Sequence, residues 1–173
     1  MRLNWHPEWM TEQFCDVGRG ITLCYETYGD PADPPVVLVM GLATQMIAWH
    51  EEFCEQLADR GFYVVRFDNR DIGRSTHIDA PVPRRLAMLL GSRRGLAYSL
   101  DDMADDLAGL IEHLGLDSAH VVGASQGGMI AQVLGYRRPE QVRSLGLILT
   151  GSGKRIASLP RLRALGVLLS QPP

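Results

Sequence analysis

Acidic side chains are nearly missing from positions 137–173, which hold one, Glu140, against seven basic ones. Positions 1–136 hold 19 acidic and 10 basic residues, so the two parts balance at −9 and +6 and the whole chain at −3. So small a net charge gives no reason to expect nucleic acid or an anionic membrane as partner. Solvated faces of different elements account for the split; pairing of the basic end with an acidic segment outside the chain is the sharper alternative. Long apolar runs are also missing, and no stretch approaches the roughly 18 residues of a bilayer span. Met1–Glu8 has neither the apolar core nor the small-residue cleavage site of a signal peptide. Cysteine is scarce: Cys15, Cys24 and Cys54 are odd in number and match no metal-ligand or redox spacing. Cys15 and Cys24 are spaced to face each other across a hairpin, but free buried thiols in a reducing compartment are the expectation. A cytoplasmic protein is the default expectation, and no metal or cofactor is expected. One further absence matters later. All five histidines (His6, His50, His77, His113, His120) and every aspartate, the last being Asp117, precede position 125.

What is present is enough for one domain with its own core: 173 residues, 46% hydrophobic and 21% charged. Phe14–Val17 and Ile21–Tyr28 flank Gly18-Arg19-Gly20 and read as a β-hairpin. Val36–Met40 is a continuous apolar run, as expected of a central strand covered on both faces. A helix follows from about Gln45 to Arg60, stopped by Gly61, then a strand over Tyr63–Phe67. Residues 78–95 read as a long excursion with a short helix. Ser99 caps the next helix, with Asp101 and Asp102 in its first turn and an apolar stripe of Met103, Leu107, Leu110, Ile111 and Leu114. A strand into Ser125, a helix from Gln126 to Tyr136 and a strand over Ser144–Leu149 complete the pattern. Alternating strand and helix predict a mostly parallel sheet with helices on both faces and an N-terminal antiparallel hairpin. A sheet ending at Leu149 would expose apolar faces and unpaired backbone at its edge, so further chain is expected beside it.

The chemistry concentrates at Val121-Val122-Gly123-Ala124-Ser125-Gln126-Gly127-Gly128. A Gly-x-Ser-x-Gly turn between a buried strand and an apolar helix places serine on a strained corner with positive φ, and its glycines let backbone and substrate pass close by. Serine is a poor nucleophile until a base takes its proton and donors stabilise the oxyanion. The helix opening at Gln126 aims N–H groups and its positive dipole end at such charge. Gly41-Leu42-Ala43-Thr44, after an earlier strand, suits a second donor from the Leu42 N–H. Gln45, Trp49 and Met129 are candidates for a substrate pocket, with a core role equally open for Trp49 and Met129. Asp68 and Arg70 are expected to satisfy loop backbone and to pair with each other. His113 and His120 read as surface or packing residues, and neither His50 nor His77 takes a general-base position.

Three segments, 36–45, 67–75 and 120–132, resemble the α/β-hydrolase superfamily. Leu38-Val39-Met40-Gly41, Asp68-Asn69-Arg70-Asp71-Ile72-Gly73-Arg74-Ser75 and the Ser125 turn look most like the aclacinomycin methylesterase group, over roughly residues 15–155. Met40 departs from the histidine that many members carry before the glycine. The resemblance implies an α/β-hydrolase fold in which 1–155 form the N-terminal part of the core and 156–173 begin a helical cap, within which the chain ends; the rest of the cap and the last strands are expected outside this chain. It also implies Ser125 as nucleophile and the Leu42 and Gln126 amides as oxyanion donors. The family order is Ser, then Asp or Glu, then His, yet only Glu140 follows Ser125. The expectation is therefore a serine hydrolase acting on a small-molecule carboxylic ester, whose triad Asp and His come from a further segment or a companion chain. A C–C bond hydrolase or thioesterase of the same fold, and a non-catalytic binding protein, stand as alternatives.

Overall fold

The computed structural model describes residues 12–79 and 97–152. Six strands form one sheet: β1 Gln13–Asp16, β2 Thr22–Tyr28, β3 Pro35–Val39, β4 Tyr63–Phe67, β5 Ala119–Ala124 and β6 Val142–Ile148. Their order is β1-β2-β4-β3-β5-β6. β1 pairs antiparallel with β2 and β2 with β4, whereas β4, β3, β5 and β6 run parallel. Among the described residues three helices lie between them: α1 Glu51–Ala58, α2 Leu100–His113 and α3 Gln126–Arg137. The mixed sheet with its N-terminal hairpin is as the sequence pattern predicts. Boundaries move by one or two residues, and the helix expected over 45–60 is two pieces, a 3-10 turn at Met46–Ala48 and then α1. Of the excursion expected over 78–95, all but its first two residues lie outside the described residues, as does the cap segment at 156–173.

The apolar runs become strands because both sheet faces are covered: every residue of β3 and β4 is buried. On one face α2 and α3 deliver Leu107, Leu110, Ile111, Ile130 and Leu134 against Val37, Val39, Val65 and Val121. Each such side chain contributes about 1.5–3 kcal/mol by leaving water. On the other face α1 closes a smaller cluster of Tyr28, Val36, Leu38, Trp49, Cys54 and Val64. α2 starts where Ser99 forms a capping box: its Oγ accepts from the Asp102 N–H at 3.3 Å, and the Asp102 carboxylate accepts from the Ser99 N–H at 2.8 Å. The Ser99 hydroxyl, which also donates to the Asp102 carboxylate at 2.7 Å, and the Ser99 N–H together hold that carboxyl below the usual aspartate range.

Two buried ion pairs interrupt this apolar plan. Arg66, 1% exposed in the middle of β4, meets Glu26 of β2 at 2.5 Å, donates to the Trp49 carbonyl and lies over the Tyr28 ring. Arg70 meets Asp106 of α2 through two hydrogen bonds of 2.6 and 2.5 Å. The expected Asp68–Arg70 pair is therefore not made: α2 packs on the loop after β4 and brings a carboxylate that reaches the guanidinium in a fork, which a neighbour in the same loop does not do. Cys15, Cys24 and Cys54 are all free and buried, and burial pushes each thiol up to about 11. The basic residues of the described C-terminal part find partners within the chain, Arg137 on Asp105 and Arg138 on Glu112. Among the described residues no helix is long and apolar enough to cross a membrane.

Candidate functional site

Two serines stand at helix N-termini here, and they are held differently. Ser99 has extended backbone (φ −112°, ψ 175°) and spends its hydroxyl on capping α2. Ser125 has φ 53° and ψ −118°, caps nothing with its side chain, and is exposed. A left-handed serine costs on the order of 1–3 kcal/mol, so the surroundings must impose it. They do so through backbone. The Ser125 N–H donates to the Ile148 carbonyl of β6 at 2.9 Å, and the Ser125 carbonyl accepts from the Gly128 N–H at 3.1 Å and from the Thr150 hydroxyl at 2.6 Å. Both polar backbone atoms of Ser125 are thus tied down while its hydroxyl has no partner among the described residues.

The glycines of the turn are there for room. A Cβ on Gly123 would stand 2.6 Å from the Gly128 nitrogen, and one on Gly127 would stand 2.7 Å from the Met40 carbonyl oxygen. α3 is thereby allowed to start directly on the ends of β3 and β5. Gly41 lies against the serine from the other side: a Cβ there would be 3.1 Å from Ser125 Cβ and 3.6 Å from its Oγ. The loop after β3 therefore passes beside Ser125, with Leu42 next along the chain and Ala43 at a positive φ of 54°. The Leu42 amide makes no hydrogen bond among the described residues, and neither does the Gln126 amide at the first position of α3. No acidic residue stands in the first turn of α3. The exposed Ser125 hydroxyl and the unbonded Gln126 amide thus stand at the N-terminus of α3, the end of a helix that favours negative charge, with the Leu42 loop alongside.

Among the described residues no histidine or carboxylate hydrogen-bonds Ser125. His77 Nε2 is 3.1 Å from the Gly73 carbonyl, and His120 Nδ1 is 2.8 Å from Ser144 Oγ. His113 packs edge-on against Tyr25, and His50 is exposed at the start of α1. Glu140 sits in the 3-10 turn Pro139–Gln141 that leads into β6. No group of three His, Cys, Asp or Glu side chains among the described residues is arranged to hold a metal ion.

The three residues named for a pocket are not brought together. Trp49 stacks on Phe53 (ring centroids 5.8 Å apart) within the α1-side core, because its neighbours there are apolar. Gln45 is exposed ahead of the 3-10 turn. Met129 lines an open cleft of about 220 Å³ with Leu100, Gln132, Val133, Tyr136 and Ser152. Sequence reasoning missed Thr150, which had no signal beyond its place after a strand, and the role of Gln132, whose amide donates to the carbonyls of Gly128 and Gly151, both at 3.0 Å.

Comparison with known proteins bears on this arrangement. A family model described as alpha/beta hydrolase fold matches residues 34–162. The chain is 35% identical over 132 residues to rhodomycin D methylesterase DauP of Streptomyces sp. (strain C5), which covers 76% of this chain and 40% of that protein. It is 34% identical over 128 residues to the putative carbamate hydrolase RutD of Caulobacter segnis, covering 73% and 42%. The chain thus spans about two fifths of the length of these relatives. Among solved structures, the 2-hydroxy-6-oxo-6-phenylhexa-2,4-dienoate hydrolase of Rhodococcus sp. strain RHA1 superposes with a TM-score of 0.64 at 25% identity, over 81% of this chain and 46% of that one. A hydrolase from Pseudomonas aeruginosa superposes with a TM-score of 0.69 over 94% and 54%, at 24% identity a likeness of fold.

Proposed function

The chain belongs to the α/β-hydrolase fold family, and from that premise we propose that it is part of a serine hydrolase that cleaves carboxylic esters through an acyl-enzyme on Ser125. One observation carries this reading: Ser125 is locked at φ 53° with its backbone bonded and its hydroxyl exposed and unspent. In the proposed reaction Ser125 Oγ attacks the ester carbonyl carbon, and the Leu42 and Gln126 amides receive the oxyanion. The intermediate collapses, expelling the alcohol and leaving the acyl group on Ser125; water then releases the acid. The names of the methylesterase relatives favour an ester over other acyl compounds. A carbon–carbon bond hydrolase or thioesterase is the second reading, favoured by the dienoate hydrolase and by a curacin-pathway thioesterase domain (TM-score 0.66, 26% identity).

The acid and base of the triad are proposed to come from a companion segment or chain. The edge strand β6 supports this, since Leu145, Leu147 and Ile148 are each about two fifths exposed and Leu149 is 94% exposed. Without that companion only oxyanion stabilisation and binding remain, which in serine proteases leave roughly 10³–10⁴-fold catalysis over water. The test is turnover of a p-nitrophenyl ester by the wild type and by Ser125→Ala. Loss of turnover with accumulation of an acylated wild-type species is expected. Turnover by Ser125→Ala at the wild-type rate would refute the assignment.

A further inference from the structure

The loop over residues 40–46 carries the Leu42 amide on which the proposed chemistry depends, yet between the buried Gly41 and Met46, Leu42, Ala43 and Gln45 are exposed. Leu42 is 71% exposed and Ala43 is held at a positive φ. What fixes the loop is the pair of residues that follows β4. Asn69 Nδ2 donates to the Met40 carbonyl at 3.0 Å, and Asp68 Oδ1 accepts from the Met46 N–H at 2.7 Å. These two bonds pin the loop at its first and last residues.

Both side chains belong to almost completely buried residues, 3% exposed for Asp68 and 4% for Asn69. A buried carboxylate is costly unless it is satisfied, and Asp68 has no cationic partner within salt-bridge distance among the described residues, because Arg70 beside it goes to Asp106. Its oxygens go instead to backbone: Met46 N–H on one, the Arg74 N–H at 3.2 Å on the other. Asp68 is itself anchored, since its N–H donates to the Cys24 carbonyl at 2.9 Å and its carbonyl accepts from Ser75 Oγ at 2.6 Å. The Met40 carbonyl that Asn69 holds also faces Gly127 of α3, and Gly41 next to it faces Ser125. A continuous set of contacts therefore runs from β2 through Asp68 and Asn69 to the loop and on to the serine turn.

We infer that Asp68 and Asn69 are positioning residues that fix the Leu42 amide beside Ser125; the inference rests on the serine hydrolase reading. Neither side chain touches Ser125. Their effect is on where the oxyanion donor stands, and a misplacement of about 1 Å in such a group costs on the order of a hundredfold in rate.

The test compares Asn69→Leu and Asp68→Asn with Ser99→Ala, a cap deletion remote from the loop that supplies an ordinary loss of stability. Two quantities are read on the full chain: the rate of adduct formation by a fluorophosphonate at Ser125, and amide hydrogen exchange across residues 41–46. Asn69→Leu is expected to slow labelling on the order of ten- to a hundredfold and to speed exchange in the loop, with Asp68→Asn intermediate because one of its two acceptor oxygens is kept. Ser99→Ala is expected to label at the wild-type rate with unchanged loop exchange. Labelling of Asn69→Leu no slower than that of Ser99→Ala, or wild-type exchange across 41–46 in both loop variants, overturns the inference. An adduct of equal yield in the wild type and in Ser125→Ala would sink the hydrolase reading instead, and exchange alone would then decide whether the clamp exists.

Discussion

Substituting alanine at two glycines of the same helix should move stability in opposite directions. At Gly127 a Cβ would stand 2.7 Å from both the Met40 carbonyl oxygen and the Val39 carbonyl carbon. Both neighbours are backbone atoms, and Val39 is fully buried in β3, so no side chain can turn aside. α3 must lift off the sheet, at a cost of about 1–3 kcal/mol for overpacking. At Gly135 the nearest atom is Leu145 Cδ1 at 3.3 Å, the tip of a side chain on a residue 39% exposed. That tip can swing away, and replacing glycine inside a helix returns about 0.5–1 kcal/mol. Gly127→Ala and Gly135→Ala should therefore differ by roughly 2–3 kcal/mol. With a urea slope of about 1–3 kcal/mol per molar, the midpoints should separate by about 1 M or more. Urea unfolding followed by circular dichroism reads this directly. A Gly127→Ala midpoint at or above that of Gly135→Ala would show that the tight seat of α3 on β3 is not there.

Three further outcomes follow from the same packing. Burial raises all three thiols to about 11, so iodoacetamide at pH 8 should leave the folded chain unmodified and alkylate three cysteines in denaturant, as read by intact mass. Ser99→Ala should cost about 1 kcal/mol. Because the folded-state carboxyl of Asp102 lies below its ordinary value, its contribution is present above the usual aspartate range and is lost as pH falls through the lowered value; Ser99→Ala should flatten that acid limb of the melting temperature. Arg66→Met leaves Glu26 buried without its cation and should destabilise by about 3–5 kcal/mol, with Glu26→Leu in the same chain restoring much of the loss.

Most strands and helices were legible because the apolar pattern matched the final burial; β6 departs from this, with Leu145, Leu147 and Ile148 about two fifths exposed. The runs over 36–39 and 63–67 became strands buried along their whole length, and the Ser99 cap with Asp102 three residues on marked a helix start that the structure keeps. The serine turn was legible in part for a local reason: Gly123 is needed by contact with Gly127 and Gly128 of the same turn, whereas the need for Gly127 comes from Val39 and Met40 across the sheet. What the sequence did not disclose depends on tertiary approach. Arg70 pairs with Asp106, 36 residues away, and nothing local distinguishes that partner from Asp68. Trp49 turned into the core because Phe53, one helical turn on, and the face of β3 gave it apolar neighbours. Thr150 and Asn69 reach across the top of the sheet to atoms of other loops, and their residue types alone carry no hint of it.

Mass spectrometry of the chain treated with a fluorophosphonate, alongside its Ser125→Ala variant, separates an activated serine from an ordinary one. The expected result is one adduct in the wild type, mapped by peptide sequencing to Ser125, and none in Ser125→Ala. An adduct of equal yield in Ser125→Ala, or one mapped to another residue, would contradict the assignment of Ser125 as the nucleophile.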